Sequence, residues 1–322
     1  MKRELEIWQF AAERLKRNES VMLLVVAESS GSSPGRQGFK MIVAENDLCG
    51  SIGGGVMEVR LVEQAKFKIQ NSKFKKNASI VEQIHQKNSP SASGMICSGK
   101  QTVIFRRLDF NDLPVVGEII NALENHQSKT LRITNDKLQI KETEKSDSDF
   151  AFENQNENEF VYSEKLGCKN KLYIVGGGHC ALALSELMSR MDFYISLFDD
   201  RQDLNTLDKN KFADRKIVVE SYEKIDDYIE SGANVYVVVM TIGYQSDAVV
   251  IRKLLDKDFK YFGVLGSKAK MATLLRQLKN EGFATEKLNR IRTPIGIEIN
   301  SRTPEEIAVS IAAEIIKVKN AR

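Results

Sequence analysis

The chain has 322 residues, 42% of them hydrophobic, and its 47 basic and 44 acidic side chains leave a formal charge of +3. That length suits two ordinary domains, each with its own core, and the charge is too even to favour nucleic acid or a membrane surface as partner. The four cysteines (Cys49, Cys97, Cys168, Cys180) form no Cys-x-x-Cys pair, and His85, His126 and His179 stand far apart, so neither a zinc site nor a disulfide framework is expected.

The first residues interleave charged and apolar side chains at helical spacing, unlike a signal peptide. The longest apolar runs, such as residues 21–27, reach only about a third of the length a bilayer requires. A soluble cytoplasmic protein is expected. Ile7, Phe10, Ala11 and Leu15 mark an amphipathic helix over residues 5–17. A buried-type strand follows over 21–28, then the polar loop Ser29-Ser30-Gly31-Ser32-Ser33-Pro34-Gly35-Arg36. Two short strands, 39–44 and 48–49, flank the turn residues Glu45-Asn46-Asp47 and predict a hairpin. Gly50-Ser51-Ile52-Gly53-Gly54-Gly55 then opens a helix whose apolar side carries Val56, Val59, Val62, Ala65 and Ile69. A loop through Met95-Ile96-Cys97-Ser98-Gly99 leads into a strand over 101–106. Residues 141–165 hold eight acidic and three basic side chains and read as exposed or mobile, with edge strands expected near 150–152 and 160–162.

From residue 171 the rhythm changes to alternating strand and helix. Strands are expected at 172–175, 194–198, 216–219, 235–240 and 261–265, with helices at 181–189, 222–230, 247–255 and 268–280. Continuously apolar, β-branched strands in this alternation predict a doubly wound parallel sheet covered on both faces. The fold class is therefore α/β: a first domain with a glycine-rich loop over 1–165, then a Rossmann-like domain over 166–322. Thr303, Pro304 and Glu306 predict a capping box for a last helix, with Ile307, Ile311, Ile315 and Val318 as its stripe.

Gly176-Gly177-Gly178-His179-Cys180-Ala181 gives Gly-x-Gly-x-x-Ala between a strand and a helix. Gly176 permits the tight turn, Gly178 lets backbone approach a phosphate, and the helix N–H groups face the anion. Asp199 and Asp200 end the next strand, where an acid meets a ribose hydroxyl in such folds. Thr241 and Gly266-Ser267-Lys268 end two further strands on the same rim, the last able to hold a second anion or simply to carry a surface charge. No hydride-transfer apparatus accompanies them. Cys180, at a helix start, is read as a small packed residue rather than an activated thiol.

In the first domain, Gly53, Gly54 and Gly55 offer N–H groups to an anion and close approach to a flat ligand. Glu58 is able to accept hydrogen bonds from an amino-pyrimidinone edge, and equally to complement the helix dipole. Ser33 and Arg36 suit phosphate. These segments are also where the chain is similar to a known family. ESSGSSPGRQGFKMIV, GSIGGGVMEVRLVEQA and GMICSG resemble the N-terminal domain of the xanthine dehydrogenase accessory (XdhC/CoxI) family. IVGGGHCALALSELM, FDDR, VVVMT, YFGVLGSKAK and TPIGIEINSRTPEEIAVSIAAEI resemble its C-terminal Rossmann domain.

The resemblance implies a cytoplasmic accessory protein, or chaperone, that binds molybdenum cofactor (molybdopterin) as cargo. It implies support for sulfuration of that cofactor with a cysteine desulfurase, and delivery to a xanthine dehydrogenase-type molybdenum hydroxylase. By position, Gly53, Gly54, Gly55 and Glu58 match the family's glycine loop. Cys97 matches its cysteine-glycine motif, and Gly176, Gly178 and Asp199 match its nucleotide fingerprint. Val56 stands where many relatives carry Cys, and Cys97-Ser98-Gly99 where they carry Cys-Gly-Gly, which points to a carrier rather than a direct sulfurtransferase. Cys97 is expected to contact the molybdenum or its sulfido ligand, or else to be a buried structural thiol. NAD(P) or another nucleotide in the Rossmann domain, an NAD(P)-dependent oxidoreductase, a non-catalytic scaffold and a homodimeric assembly stay open.

Overall fold

The computed structural model describes residues 2–71, 77–85, 99–143, 148–156, 159–167, 170–191 and 193–321. Cys97, Ser98 and Cys168 lie outside the described residues. The chain divides into two compact units, Met1–Gly167 and Cys168–Arg322.

The first unit holds α1 (Lys2–Lys16), β1 (Val21–Gly31), β2 (Lys40–Val43), β3 (Leu48–Gly50), α2 (Gly55–Gln70), β4 (Ala78–His85) and β5 (Gly99–Leu108). After them come α3 (Leu113–Glu124), β6 (Lys129–Thr134), β7 (Leu138–Glu142), β8 (Phe150–Asn156) and β9 (Glu159–Leu166). One antiparallel sheet runs β3-β2-β1-β5-β4, and a second runs β7-β6-β9-β8. The continuous apolar run in β1 has a direct cause: helices cover both of its faces. Leu23, Val25 and Ala27 join Trp8 and Leu15 in one cluster, while Met22, Leu24 and Val26 join Leu61 and Ala65 of α2 in another. Truncating a fully buried residue of this kind, Leu61→Ala, costs about 2–5 kcal/mol.

The acidic segment 141–165 has exposed acids at Glu142, Asp149, Glu153 and Glu159, as read, and β8 is the expected edge strand; the departure is in β9. β9 points Phe160, Tyr162, Glu164 and Leu166 inward on alternate positions, and it is an internal strand rather than an edge. Glu164 tolerates burial because Lys40 Nζ lies 2.6 Å from it, with Glu4 at 2.8 Å on the other side, and Tyr162 Oη donates to Glu164 at 2.9 Å. Burial works to lower the Lys40 pKa; Glu164 and Glu4 outweigh it and hold the ammonium above its ordinary range. This cluster ties α1, β2 and β9 together. Removing Lys40 leaves Glu164 as an uncompensated buried charge, at about 3–5 kcal/mol.

The second unit runs β10 (Lys171–Val175), α4 (His179–Met188), β11 (Tyr194–Asp199), α5 (Asn205–Lys209), β12 (Arg215–Val218) and β13 (Gly232–Val239). It continues with α6 (Tyr244–Leu254), β14 (Phe259–Val264), α7 (Lys268–Asn280), α8 (Thr285–Leu288) and α9 (Pro304–Lys319). All pairings in the sheet β12-β11-β10-β13-β14 are parallel. Val175, Val237 and Val239 pack with α6 and α7 on one face; Leu172, Ile174 and Val238 pack with α4 and α9 on the other. The expected doubly wound sheet is therefore present. The helix expected over 222–230 is instead a pair of 3-10 turns, Tyr222–Asp227, broken where Lys224 leaves helical geometry. The capping box of α9 forms as read, with Thr303 and Glu306 each accepting from the other's backbone N–H. Among the described residues, no helix is long and apolar enough to cross a membrane.

Candidate functional site: two glycine turns

In the first unit, Gly53, Gly54 and Gly55 all have positive φ, which only glycine adopts freely. Two close approaches are also sterically required. A Cβ on Gly53 would lie 2.4 Å from Gly35 N, and one on Gly35 would lie 2.2 Å from Ile52 O. The serine-rich loop and the glycine loop thus interlock backbone against backbone. Gly99 joins them, since its Cβ would meet Ser33 N at 2.6 Å. Around Gly54 there is open space.

Glu58 on the first turn of α2 holds this loop. Its Oε2 accepts from Ser51 Oγ at 2.7 Å, Ile52 N at 2.8 Å and Gly54 N at 2.9 Å, while Ser51 Oγ accepts from Gly53 N. The expectation that all three glycine N–H groups face an incoming anion is corrected: two are already turned to Ser51 and Glu58. The carboxylate stands where an anion would. Ser33 is also spent, being 3% exposed and donating to Gln101 Oε1 at 2.9 Å. Arg36 is exposed. Cys97 lies outside the described residues, two positions before Gly99 in sequence.

In the second unit, Gly176 has φ 108 and a Cβ there would lie 2.3 Å from Met240 O, so the turn passes tightly over the end of β13. Gly177 is locked at both ends. Its N–H donates to Asp199 Oδ2 at 2.6 Å and its carbonyl accepts from Thr206 Oγ1 at 2.5 Å. Asp199 is fully buried, and its oxygens also take Arg201 N (3.0 Å), Nε (2.7 Å) and Nη2 (2.8 Å). Burial works to raise its pKa, but the bonds from Arg201 and Gly177 prevail and hold the carboxyl below its ordinary range. Asp199 therefore braces the turn rather than meeting a ribose hydroxyl; its neighbour Asp200 is the exposed acid.

Beyond this brace the start of α4 is open. Gly178 is its N-cap, without a side-chain cap and with nothing within 4 Å of a Cβ. The first intrahelical donor is Leu182 N, to Gly178 O, so the N–H groups of His179 and Cys180 have no partner within the helix. The thiol of Cys180 is pushed up, first by burial and then by Glu305, which suits a packed residue. Next to β10, β13 feeds a second uncapped start: Gly243 precedes α6, also facing open space. Thr241 at this strand end donates from Oγ1 to Asp247 Oδ1 at 2.6 Å. Burial raises the Asp247 pKa against the lowering effect of those Thr241 bonds. The two open helix starts flank the point where strand order reverses, the place where open parallel sheets bind ligands.

The third strand end matches the second of its two open readings. Ser267 caps α7 itself through Lys270 N, and the Lys268 side chain is 81% exposed with Glu298 at 3.8 Å. Gly266 packs near Met271. This end reads as a self-capped helix with a surface charge, not a second anion site. Sequence reasoning missed Arg201, Thr206 and Asp247. The only signal for the first was a basic residue following two acids at a strand end. Among the described residues, no group of three His, Cys, Asp or Glu side chains is placed to hold a metal ion.

The model of the XdhC Rossmann domain matches residues 172–315, and that of the XdhC and CoxI family matches residues 14–75. The chain belongs to the XdhC and CoxI family. Among curated proteins, this XdhC-family chain is 22% identical over 318 residues to the uncharacterized protein YqeB of Escherichia coli, covering 98% of this chain and 47% of that one. It is 27% identical over 159 residues to a probable xanthine dehydrogenase subunit of Bacillus subtilis, covering 49% and 46% respectively. The chain thus spans about half the length of the curated relatives it matches. A solved structure described as a xanthine dehydrogenase from Bacillus halodurans shares its fold, with TM-score 0.74 and 22% identity over 99% of this chain and 96% of that one.

Proposed function

We propose that this XdhC-family chain is a cytoplasmic accessory protein that binds molybdenum cofactor and supports its maturation. In this reading it assists sulfuration by a cysteine desulfurase and delivers the cofactor to a xanthine dehydrogenase-type molybdenum hydroxylase. The observation that carries the reading is the pair of uncapped helix starts beside the strand-order reversal, with free space at Gly178 and Gly243. The phosphate end of the pterin rests on the N–H groups of His179 and Cys180, where the helix dipole favours an anion. Asp199, Arg201 and Thr206 keep Gly177 out of the way and fix the turn.

The glycine loop of the first unit, taken by itself, is a separate candidate site. Glu58 Oε2 is committed to holding the loop, which leaves Oε1 as an acceptor for an amino-pyrimidinone edge and Gly54 as the point of close approach. Cys97, outside the described residues, is the candidate soft-sulfur donor to molybdenum only by its match to the family's motif. A dinucleotide-dependent oxidoreductase would have to use Asp200 at the ribose, because Asp199 is buried in an ion pair with Arg201. The test is to purify the protein from a molybdate-fed host, denature it, and identify what is released by oxidation, fluorescence and mass spectrometry. An oxidisable fluorescent pterin is the expected result. A nicotinamide with turnover would move the assignment to an oxidoreductase, and no affinity for either molecule would leave a protein scaffold.

A further inference from the structure

A pocket in the Rossmann unit lies along β14, apart from the glycine turn at Gly176–Gly178. It encloses about 370 Å³ and is lined by Lys257, Lys260, Lys287, Arg290 and Arg292, together with Phe259 and other residues. That volume lies in the range of small-molecule sites. Five cations line this pocket, and three of them face carboxylates, Asp256, Asp258 and Glu314.

The cations differ in how far they are committed. Lys257 donates to the carbonyls of Asp226 and Ile229, both at 2.5 Å, and is structural. Lys287 pairs with Asp256 and Arg290 with Asp258, carboxylates whose side chains are 73% and 85% exposed. Exposed pairs of that kind contribute little, and Arg290 Nη2 also donates to Lys257 O at 3.2 Å. Arg292 reaches Glu314 only at 3.5 Å, and the other oxygen of that carboxylate is engaged by Tyr261 Oη and Gly296 N. Lys260 is exposed and has no ion-pair partner among the described residues. The wall adds an apolar surface from the half-buried Phe259, with Leu255 at the lining but only 3% exposed.

We infer that this pocket binds a small phosphorylated molecule carrying a flat ring, such as a nucleotide. The phosphates sit on Lys260, Arg290 and Arg292, and the ring lies against Phe259. Multiple point charges and guanidinium forks match a polyphosphate better than a single carboxylate. This site is independent of the cofactor cargo proposed above.

The experiment is a titration of the full-length protein with a fluorescent ribose-modified ATP, competed with unlabelled ATP, pyrophosphate and a poly-glutamate peptide. Binding is expected to saturate, to weaken with added salt, and to be displaced by ATP and pyrophosphate. Lys260→Glu should weaken it at least about tenfold and Lys260→Ala about threefold, given the size of charge-assisted contacts, with melting temperatures unchanged. Gly178→Asp, which fills the start of α4, should leave it unaltered. Absence of saturable binding overturns the inference. So does binding lost in Gly178→Asp but kept in Lys260→Glu, which would put the nucleotide at the glycine turn. Displacement by poly-glutamate but not by ATP or pyrophosphate overturns it too, by making the patch a protein-docking surface.

Discussion

Both units carry a three-glycine turn leading into a helix, and in both a carboxylate of the same unit accepts from a glycine N–H. In the first unit Glu58, on the helix that follows, takes Gly54 N and two neighbours. In the second, Asp199 comes from the adjacent strand and takes, from the glycine turn, only Gly177 N besides its bonds from Arg201, leaving the start of α4 unfilled. Glycine spacing alone does not tell whether a turn's donors are available. What decides is where the internal carboxylate comes from and which N–H it reaches.

Substitutions that add only a methyl group test this contrast most severely. Gly53→Ala and Gly176→Ala each put a Cβ within 2.4 Å of backbone at positive φ. Each should cost more than about 3 kcal/mol, since strain and overlap add, read as loss of the folded unit in urea titration. Gly54→Ala shares the positive φ but meets open space, so about 1–2 kcal/mol is expected. Equal costs at Gly53 and Gly54 would mean the interlocked loops are absent in solution.

Removing the carboxylates should give smaller and unequal effects. Asp199→Ala strands a buried donor and a guanidinium; about 2–3 kcal/mol is expected, below the value for a fully buried pair because the Arg201 side chain is 35% exposed. Glu58→Ala should cost about 1–2 kcal/mol, because water can reach its half-buried donors. Calorimetry resolving the two units would show the order reversed if Glu58 were the more essential brace. Gly178→Ala, unstrained at φ −69, should change stability by less than about 0.5 kcal/mol while weakening anion binding at α4.

The smallest effect concerns pH. The folded pKa of Asp199 is depressed, so its contribution is fully present above the unfolded value of about 3.9 and fades as pH falls through the depressed folded value. Melting of the second unit should therefore show no loss from this brace between pH 7 and 5, and Asp199→Asn should flatten the acid limb below about pH 4. An acid limb identical in Asp199→Asn and the parent would remove Asp199 as its cause.

Much of this was legible in the residues. The β-branched runs, the strand–turn–helix around Gly176 and the Thr303–Glu306 box each follow from local chemistry, and the structure has all three. Within residues 141–165, β9 misled because composition reports average polarity, whereas burial of Glu164 depends on Lys40 and Glu4, far away in sequence. The same limit applies at the turns. The strand-end position of Asp199 suggests a ribose ligand, whereas Arg201 and Gly177 occupy its oxygens. Ser33 looked like a phosphate donor until Gln101 was found on its hydroxyl. Long-range partners of short polar side chains leave no periodic trace.

The most direct measurement is the amount of pterin retained by Gly178→Asp relative to the parent protein, both purified from a molybdate-fed host. Residue 178 has open space and φ −69, so the new carboxylate can cap α4 without disturbing the fold and occupy its N–H groups. Pterin content at least about tenfold lower, with an unchanged melting temperature, is the predicted outcome for losing a charge-assisted phosphate site. Equal pterin in the two proteins would contradict the assignment of the α4 turn as the cofactor's anchor.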